Sequence, residues 1–468
     1  MILIKKFLYV CVMALSVFSS AQERLMPEVD ERVEMVSIVF RLAGAEEYSR
    51  DYNKKYAEDI NAYFEPYKNT EVVKFVQENR NKYGLGYDAV MSMALHLSFK
   101  NKKFSFTKEK ESTLEKRWEK VEVKKFVSLL NELYKKSDFQ KFFNNHSDSY
   151  AKAVQAYRQS ILKDFNQNWY SHFYGKAPNE EYRIILGYGN GGGNYGITLH
   201  PEHHKTIVYA VVGVSDFDSN GNAKFDKNEF QPLLIHEFNH SFVNYILEMK
   251  NYKSELKEPA EKIYSLVEKE MKSQAYGDWE TMINESLVRA AVIRYMTDNH
   301  YPQSTIDEEI QMQRGRKFLW IKELTELLGK YEENRNRFPT LEDFYPEIIA
   351  FYKNLEPKLQ GIIDNQPKVV SISPDIMDKN DVDSKITEII ITFSREMSGK
   401  GVSINLGESG KEHFPLKKFE GYFNNNTAIK IQTEMKPDTE YEFVLTGNKF
   451  ISKDGYPLQR TSIKFKTK

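Results

Sequence analysis

The hydrophobic period of this chain changes at Pro367, and that change limits what the chain can fold into. Before it, apolar residues recur at helical spacing: Val33, Val36, Val39 and Ala43; Phe126, Leu129, Leu130 and Leu133; Val154, Tyr157, Ile161, Phe165 and Trp169. Spacings of three and four put side chains on one helix face, so each stripe predicts a helix packed into a core. After it come short runs rich in β-branched and aromatic residues: Val369 to Ile372, Glu388 to Phe393, Ala428 to Gln432, Tyr441 to Leu445 and Ser462 to Lys466. Such runs at these intervals predict an all-β sandwich. Inside the first part, Arg183 to Leu186, Ile197 to Leu199 and Thr206 to Val214 alternate with glycine-rich or polar turns and predict a small β-sheet. Helical spacing returns from Gln231 to about Leu359.

Composition excludes several classes of function. With 468 residues, 41% hydrophobic and 28% charged, the chain is too apolar for a disordered protein and long enough for about three compact units. Its 66 basic and 67 acidic residues nearly cancel, so no electrostatic case exists for nucleic acid or an anionic membrane surface as partner. Lys5 and Lys6 precede the apolar run Phe7 to Phe18, and Ser19-Ser20-Ala21 offers small residues for cleavage, so residues 1–21 read as a signal peptide. Export to the periplasm or the medium is expected. The single cysteine, Cys11, follows bulky Tyr9 and Val10 within that run, which argues against a lipoprotein. No second segment approaches the roughly 18 apolar residues of a membrane helix, so no membrane insertion is expected. The expected division is a signal peptide over 1–21, a mixed helix-and-sheet unit over 22–365 and a β domain over 366–468. Within the middle unit, a helical part covers 22–175, and the sheet and the later helices cover 176–365.

The chemistry lies in Leu234-Ile235-His236-Glu237-Phe238-Asn239-His240-Ser241-Phe242. Ile235, Phe238, Phe242 and Ile246 supply an apolar stripe, while His236 and His240, one turn apart, project from a common face. Two imidazoles so placed can hold one Zn²⁺, and Glu237, one residue round, is the candidate general base. A catalytic zinc needs a third protein ligand. Ile246 stands where a third histidine would fall. Glu285, in Trp279-Glu280-Thr281-Met282-Ile283-Asn284-Glu285-Ser286-Leu287-Val288-Arg289, is the expected ligand, because a glutamate embedded among apolar positions needs a cation or metal partner. An ion pair with Arg289, one turn later, is the competing use of the same carboxylate.

His236-Glu237-x-x-His240 followed by Asn284-Glu285 resembles the gluzincin metallopeptidases. HEFNHSFVN and WETMINESLVRA, with VEMVSIVFRLAGAEEYS and INAYFEPY upstream, resemble a bacterial domain family catalogued without a function and assigned to that clan. The resemblance spans roughly residues 30 to 350. It implies a zincin-like α+β catalytic domain, largely helical with a small sheet, in which one Zn²⁺ sits on His236, His240 and Glu285. It implies hydrolysis of a peptide or protein substrate by a zinc-activated water, with Glu237 as general base. A donor for the tetrahedral oxyanion is expected downstream, among Tyr295, His300, Tyr301, Tyr345 and Tyr352. Two features depart from the pattern: a gap of 45 positions between His240 and Glu285, and Arg289 where several families carry an aspartate that orients a ligand histidine. The alternative is a catalytically silent zinc-containing binding or adhesion protein.

Other clusters carry less. Asn190-Gly191-Gly192-Gly193-Asn194-Tyr195-Gly196 sits between two strands, where gluzincins lay a substrate along an edge strand, and a plain hairpin is the simpler expectation. Gly187 to Gly192 fits GxGxxG, but a strand follows, which rejects a dinucleotide site. Asp216 to Asp226 begins like a calcium loop, yet Lys227 stands where its bidentate glutamate belongs, so an Asx-rich turn is expected. His200, His203 and His204 read as loop histidines. Pro367 to Pro374, Ile391 to Met397, Pro437 to Tyr441 and Asp454-Gly455 resemble a bacterial Ig-like domain, which implies an accessory module.

Overall fold

The computed structural model describes residues 25–447 and 449–468. The expected signal peptide and Cys11 lie outside the described residues. Among those residues, no helix is long and apolar enough to cross a membrane.

Two hydrophobic cores divide the chain. The first runs from Leu25 to Leu359 and the second from Ile376 to Phe465. Between them the helix Leu341–Asp364 ends, and the strand Val369–Ser373 begins after Pro367.

In the first unit, helices surround a four-stranded sheet in the order Pro27–Glu28, Glu181–Gly187, Ile207–Gly213, Tyr195–Leu199. The first three strands run parallel and the last is antiparallel. Every residue of Ile207–Gly213 is buried, as its unbroken apolar run requires of a strand covered on both faces. The glycine-rich segment is not the expected hairpin turn. Glu181–Gly187 and Tyr195–Leu199 do not pair, because Ile207–Gly213 lies between them. The segment crosses over that strand, packed so closely that a Cβ on Gly191 (φ +71°) would lie 1.9 Å from the Glu47 carbonyl oxygen.

Two helical expectations break. Leu97–Lys100 and Lys103–Phe106 form a hairpin, with Asn101 and Lys102 at φ 52° and 58° as a type I′ turn demands. The stripe from Val154 to Trp169 is interrupted: helix Ser147–Tyr157 loosens into a π turn at Arg158–Leu162 and restarts at Asn168. Asn166 causes the restart. Its Oδ1 accepts from the Trp169 N–H (3.2 Å), and its own N–H donates to the Tyr295 hydroxyl (2.6 Å).

The second unit holds two antiparallel sheets. One is ordered Leu416–Phe423, Ala428–Thr433, Glu388–Phe393, Val369–Ser373; the other Ile404–Leu406, Glu440–Leu445, Thr461–Lys466. Ile389, Ile391 and Phe393 of one meet Phe443, Leu445, Ile463 and Phe465 of the other in a single core. The units touch through polar contacts. Arg314 donates to Gly455 O (3.2 Å) and lies over the Tyr456 ring, while Gln366 donates to Pro457 O (3.1 Å).

A buried carboxylate ties the glycine-rich crossover to the helices. Glu34, on helix Glu31–Leu42, has no exposed surface. It accepts from the N–H groups of Tyr188 (2.8 Å) and Gly189 (3.1 Å) and from the Tyr56 hydroxyl (2.7 Å), which also meets Tyr150 (2.7 Å). Burial outweighs these bonds and pushes its carboxyl up to about 7. A carboxyl that holds its proton more tightly when folded stabilises the fold below its ordinary value, and that contribution fades as pH rises through 7. Glu34→Gln is therefore expected to flatten the pH dependence of urea unfolding between pH 5 and 8, with the Tyr56–Tyr150 bond reversing to accept the amide. Glu34→Ala leaves the Tyr188 and Gly189 N–H groups unpaired and is expected to cost about 1–3 kcal/mol for each. An unchanged pH profile in Glu34→Gln would remove this carboxyl from the account.

Candidate metal centre

Two helices carry the constellation. The motif helix, Lys227–Val243, starts at Asp226, whose side chain accepts from the Asn228 N–H (2.7 Å), and it begins one turn earlier than the sequence pattern indicates. Pro232, one turn before His236, contributes no N–H to the helix ladder and lines the adjoining cavity. The acid helix, Trp279–Asp298, starts at Asp278, which accepts from the Thr281 N–H (2.7 Å). It is buried on nearly every side, so its polar residues meet protein partners. Asn239, inside HExxH and fully buried, crosslinks the pair: its amide donates to Val288 O on the acid helix (3.3 Å) and accepts from the Tyr174 hydroxyl (2.9 Å).

That packing brings His236, His240 and Glu285 together. The two Nε2 atoms lie 3.2 Å apart, His236 Nε2 lies 3.6 Å from Glu285 Oε2, and His240 Nε2 lies 3.5 Å from Glu285 Oε1. A tetrahedral ion with bonds of about 2.0–2.1 Å separates its ligand atoms by about 3.3 Å. With each carboxylate oxygen facing one ring, these separations are of the size one zinc ion needs. The donor set, two imidazoles and one carboxylate, is that of catalytic rather than structural zinc. Among the described residues it is the one cluster of three or more such side chains with metal-holding geometry.

The surroundings set the protonation states. Burial, and then the charge of His240, hold the His236 pKa well below its ordinary value, so its ring is neutral and able to ligate. His240 Nδ1 meets Asn244 Oδ1 at 3.1 Å, leaving Nε2 for the cluster, so Asn244 orients this histidine. Glu285 makes both of the contacts the sequence offers it, since Arg289 also donates to Oε2 at 2.9 Å. The terminal nitrogens of Arg289 also donate to Gln313 (2.9 Å) and the Tyr276 hydroxyl (2.6 Å). Burial pushes the Glu237 carboxyl above its ordinary value.

Two cavities meet at Glu237. One, of about 640 Å³, is lined by His236, Glu237, Tyr276, Arg289 and Arg316; the other, of about 610 Å³, by Glu237, His240, Asn244, Tyr245 and the strand residues Gly196 and Thr198. Tyr195–Leu199 is the edge of the sheet on this side. Its far end is occupied, because Thr113 donates to Thr198 O (2.6 Å) and Lys110 N–H donates to His200 O (2.9 Å). Gly196 abuts the general-base candidate: a Cβ there would lie 2.2 Å from Glu237 Oε2.

The oxyanion-donor candidates Tyr295, His300, Tyr301, Tyr345 and Tyr352 line neither cavity. Tyr295 stands ten residues beyond Glu285, about 15 Å along the helix, and holds Asn166. Tyr345 packs on Tyr252, and Tyr352 on Trp320. The phenol that lines the first cavity is Tyr276, upstream of Glu285, and burial and then the Glu285 charge raise its pKa, keeping it neutral; Tyr245 lines the second. The place of Tyr276 before Glu285 puts it outside the downstream stretch in which the sequence pattern leads one to expect the donor. Asn244 carried a signal, since it sits one turn after His240 on the same face. The Asp216–Asp226 loop turns on Asp218, whose Oδ1 accepts from the N–H groups of Asn220 (2.8 Å) and Asn222 (2.9 Å). His200 lines the second cavity and bonds Thr206 (2.9 Å). His203 is exposed.

Comparison with known proteins gives a family and little else. No curated protein matches. The solved structure of the S-layer protein rSbsC(31-844) aligns at 14% identity over 50% of this chain and 33% of that one, with a TM-score of 0.17. Surface layer protein SbsC, domains 1-6, aligns at 14% identity over 48% and 33%, also at 0.17. This chain thus spans about a third of either, and scores that low carry no structural argument. Residues 25–351 match a family described as "Domain of unknown function (DUF4932)", and the chain belongs to that family.

Proposed function

We propose that the chain is an exported zinc metallopeptidase of gluzincin type, with residues 366–468 as an Ig-like accessory domain. The observation that carries this reading is the triangle of His236 Nε2, His240 Nε2 and the Glu285 carboxylate, with edges of 3.2 to 3.6 Å, beside a carboxylate common to both cavities. Zinc bound there would supply Lewis acidity toward a carbonyl and lower the pKa of a water to about 7. The chain's own residues do the rest.

Glu237 takes a proton from the attacking water as its oxygen bonds to the carbonyl carbon. The same carboxyl gives that proton to the amine nitrogen as the C–N bond breaks, which balances the hydrolysis. Tyr276, a neutral phenol on the cavity wall, donates toward the oxygen on which charge develops. Arg289 and Asn244 act through the ligands: one fixes the Glu285 carboxylate and the other the His240 ring. The sheet edge at Tyr195–Ile197 offers backbone groups on which an extended peptide can lie beside Glu237.

Glu237→Ala is expected to keep one zinc per chain while peptide hydrolysis falls about 10²- to 10⁴-fold. His236→Ala is expected to lose the metal itself. Elemental analysis beside a peptide-cleavage assay checks both, and hydrolysis that survives Glu237→Ala, or zinc absent from the wild type after refolding with excess metal, rejects the reading. Tyr276→Phe is expected to lower kcat about 100- to 1000-fold with zinc content unchanged. Full activity in that variant would send the oxyanion role elsewhere.

A further inference from the structure

The larger cavity is lined by an arginine, Arg316, with which no residue of its walls forms an ion pair. Arg316 directly follows helix Gln303–Gly315. Its main chain is fixed, since its N–H donates to Met312 O (3.1 Å) and its carbonyl accepts from Gln274 Nε2 (3.0 Å). Its guanidinium lines the cavity that His236, Glu237 and Tyr276 also line, open to solvent. Among the described residues no carboxylate pairs with it and no acceptor bonds it.

The neighbouring charges sharpen the contrast. Both terminal nitrogens of Arg289 are bonded, to Glu285, Gln313 and Tyr276, while its Nε is buried without a partner, and its positive charge still acts on Arg316. Desolvation by the cavity wall, and then the charge of Arg289, pull the Arg316 pKa below the ordinary arginine value. Glu309, on that same helix, acts on Arg316 without pairing with it: it is bonded to Gln313 (2.5 Å), and burial raises its pKa, which weakens it as a counter-charge. Asp226 and Glu229 line the cavity from the start of the motif helix, and Glu229 stands about two turns, or 10 Å, before His236. Neither pairs with Arg316. An anion entering the cavity would relieve the repulsion between the two guanidinium groups, and a carboxylate fits a guanidinium fork through two parallel hydrogen bonds.

We infer that Arg316 anchors a carboxylate of the peptide occupying this cavity, supplied by a free C-terminus or by an acidic side chain. The inference rests on the peptidase reading for the identity of the ligand as a peptide. Arg316 is then a specificity residue and takes no part in breaking the bond.

The test uses the full zinc-loaded chain carrying Glu237→Ala, so that bound peptides persist, with titration calorimetry as readout. Four peptides of equal length are compared, with the C-terminus free or amidated and with or without one glutamate. At least one carboxylate-bearing peptide is expected to bind about 10-fold or more tightly than the uncharged amide. Adding Arg316→Gln is expected to erase that preference, and Arg316→Lys to restore part of it. Preference for the free C-terminus identifies that carboxylate as the ligand, and preference for glutamate identifies the side chain. Equal affinities, no binding by any of the four, or a preference that survives Arg316→Gln would overturn the inference. The wild-type chain separates the two readings. Failure to cleave any peptide, with Arg316-dependent binding intact, sinks the peptidase and leaves the anchor. Cleavage without any Arg316-dependent preference does the reverse.

Discussion

The site depends on how the motif helix is seated on the acid helix. Two histidines one turn apart come from helical geometry alone, but the third donor arrives from 45 positions away and must be brought to within about 3.3 Å of both. Asn239 sets that register. Its amide spans from Val288 O to the Tyr174 hydroxyl, and the Tyr174 ring stacks on Phe242 at 4.4 Å, so one short helix, Asn168–Tyr174, braces the motif helix from behind. A charged residue at 239 would be buried between two helices without a counter-ion, which explains why the interior of HExxH is polar there yet uncharged.

Much of this was readable from local patterns because local physics decides it. His236, Glu237 and His240 declare themselves through spacing on one helix, and Glu285 through an acid set among residues that had to be buried. The strands Glu388–Phe393 and Thr461–Lys466 stand close to where β-branched and aromatic runs put them. What escaped were features decided by partners distant in the chain. Strands Ile404–Leu406 and Leu416–Phe423 are half-exposed edges of their sheets, the first only three residues long and the second broken by two register shifts, so neither shows a regular alternation. The Leu97–Phe106 hairpin was hidden by the helical stripes on either side, although Asn101-Lys102 between alternating runs is a turn signature.

The sheet shows the same division. Its strands were legible, but their order was not: nothing local says that Tyr195–Leu199 pairs across Ile207–Gly213 rather than back on Glu181–Gly187. Tyr276 escaped for a related reason. It sits before the N-cap Asp278, in a turn where Ala275 takes φ 67°, and only the arrangement of the acid helix against the cavity gives that turn a role.

The closeness of the edge strand to Glu237 has an evolutionary reading. Because even a methyl group at position 196 would collide with the carboxylate, the acid can keep its place only opposite the residue that lacks a β-carbon. On the peptidase reading proposed above, a relative that retained both histidines but carried a bulkier residue there would keep its metal ligands while its acid was turned aside. That one strand position, rather than the motif itself, would then separate a chain that cuts from one that only holds.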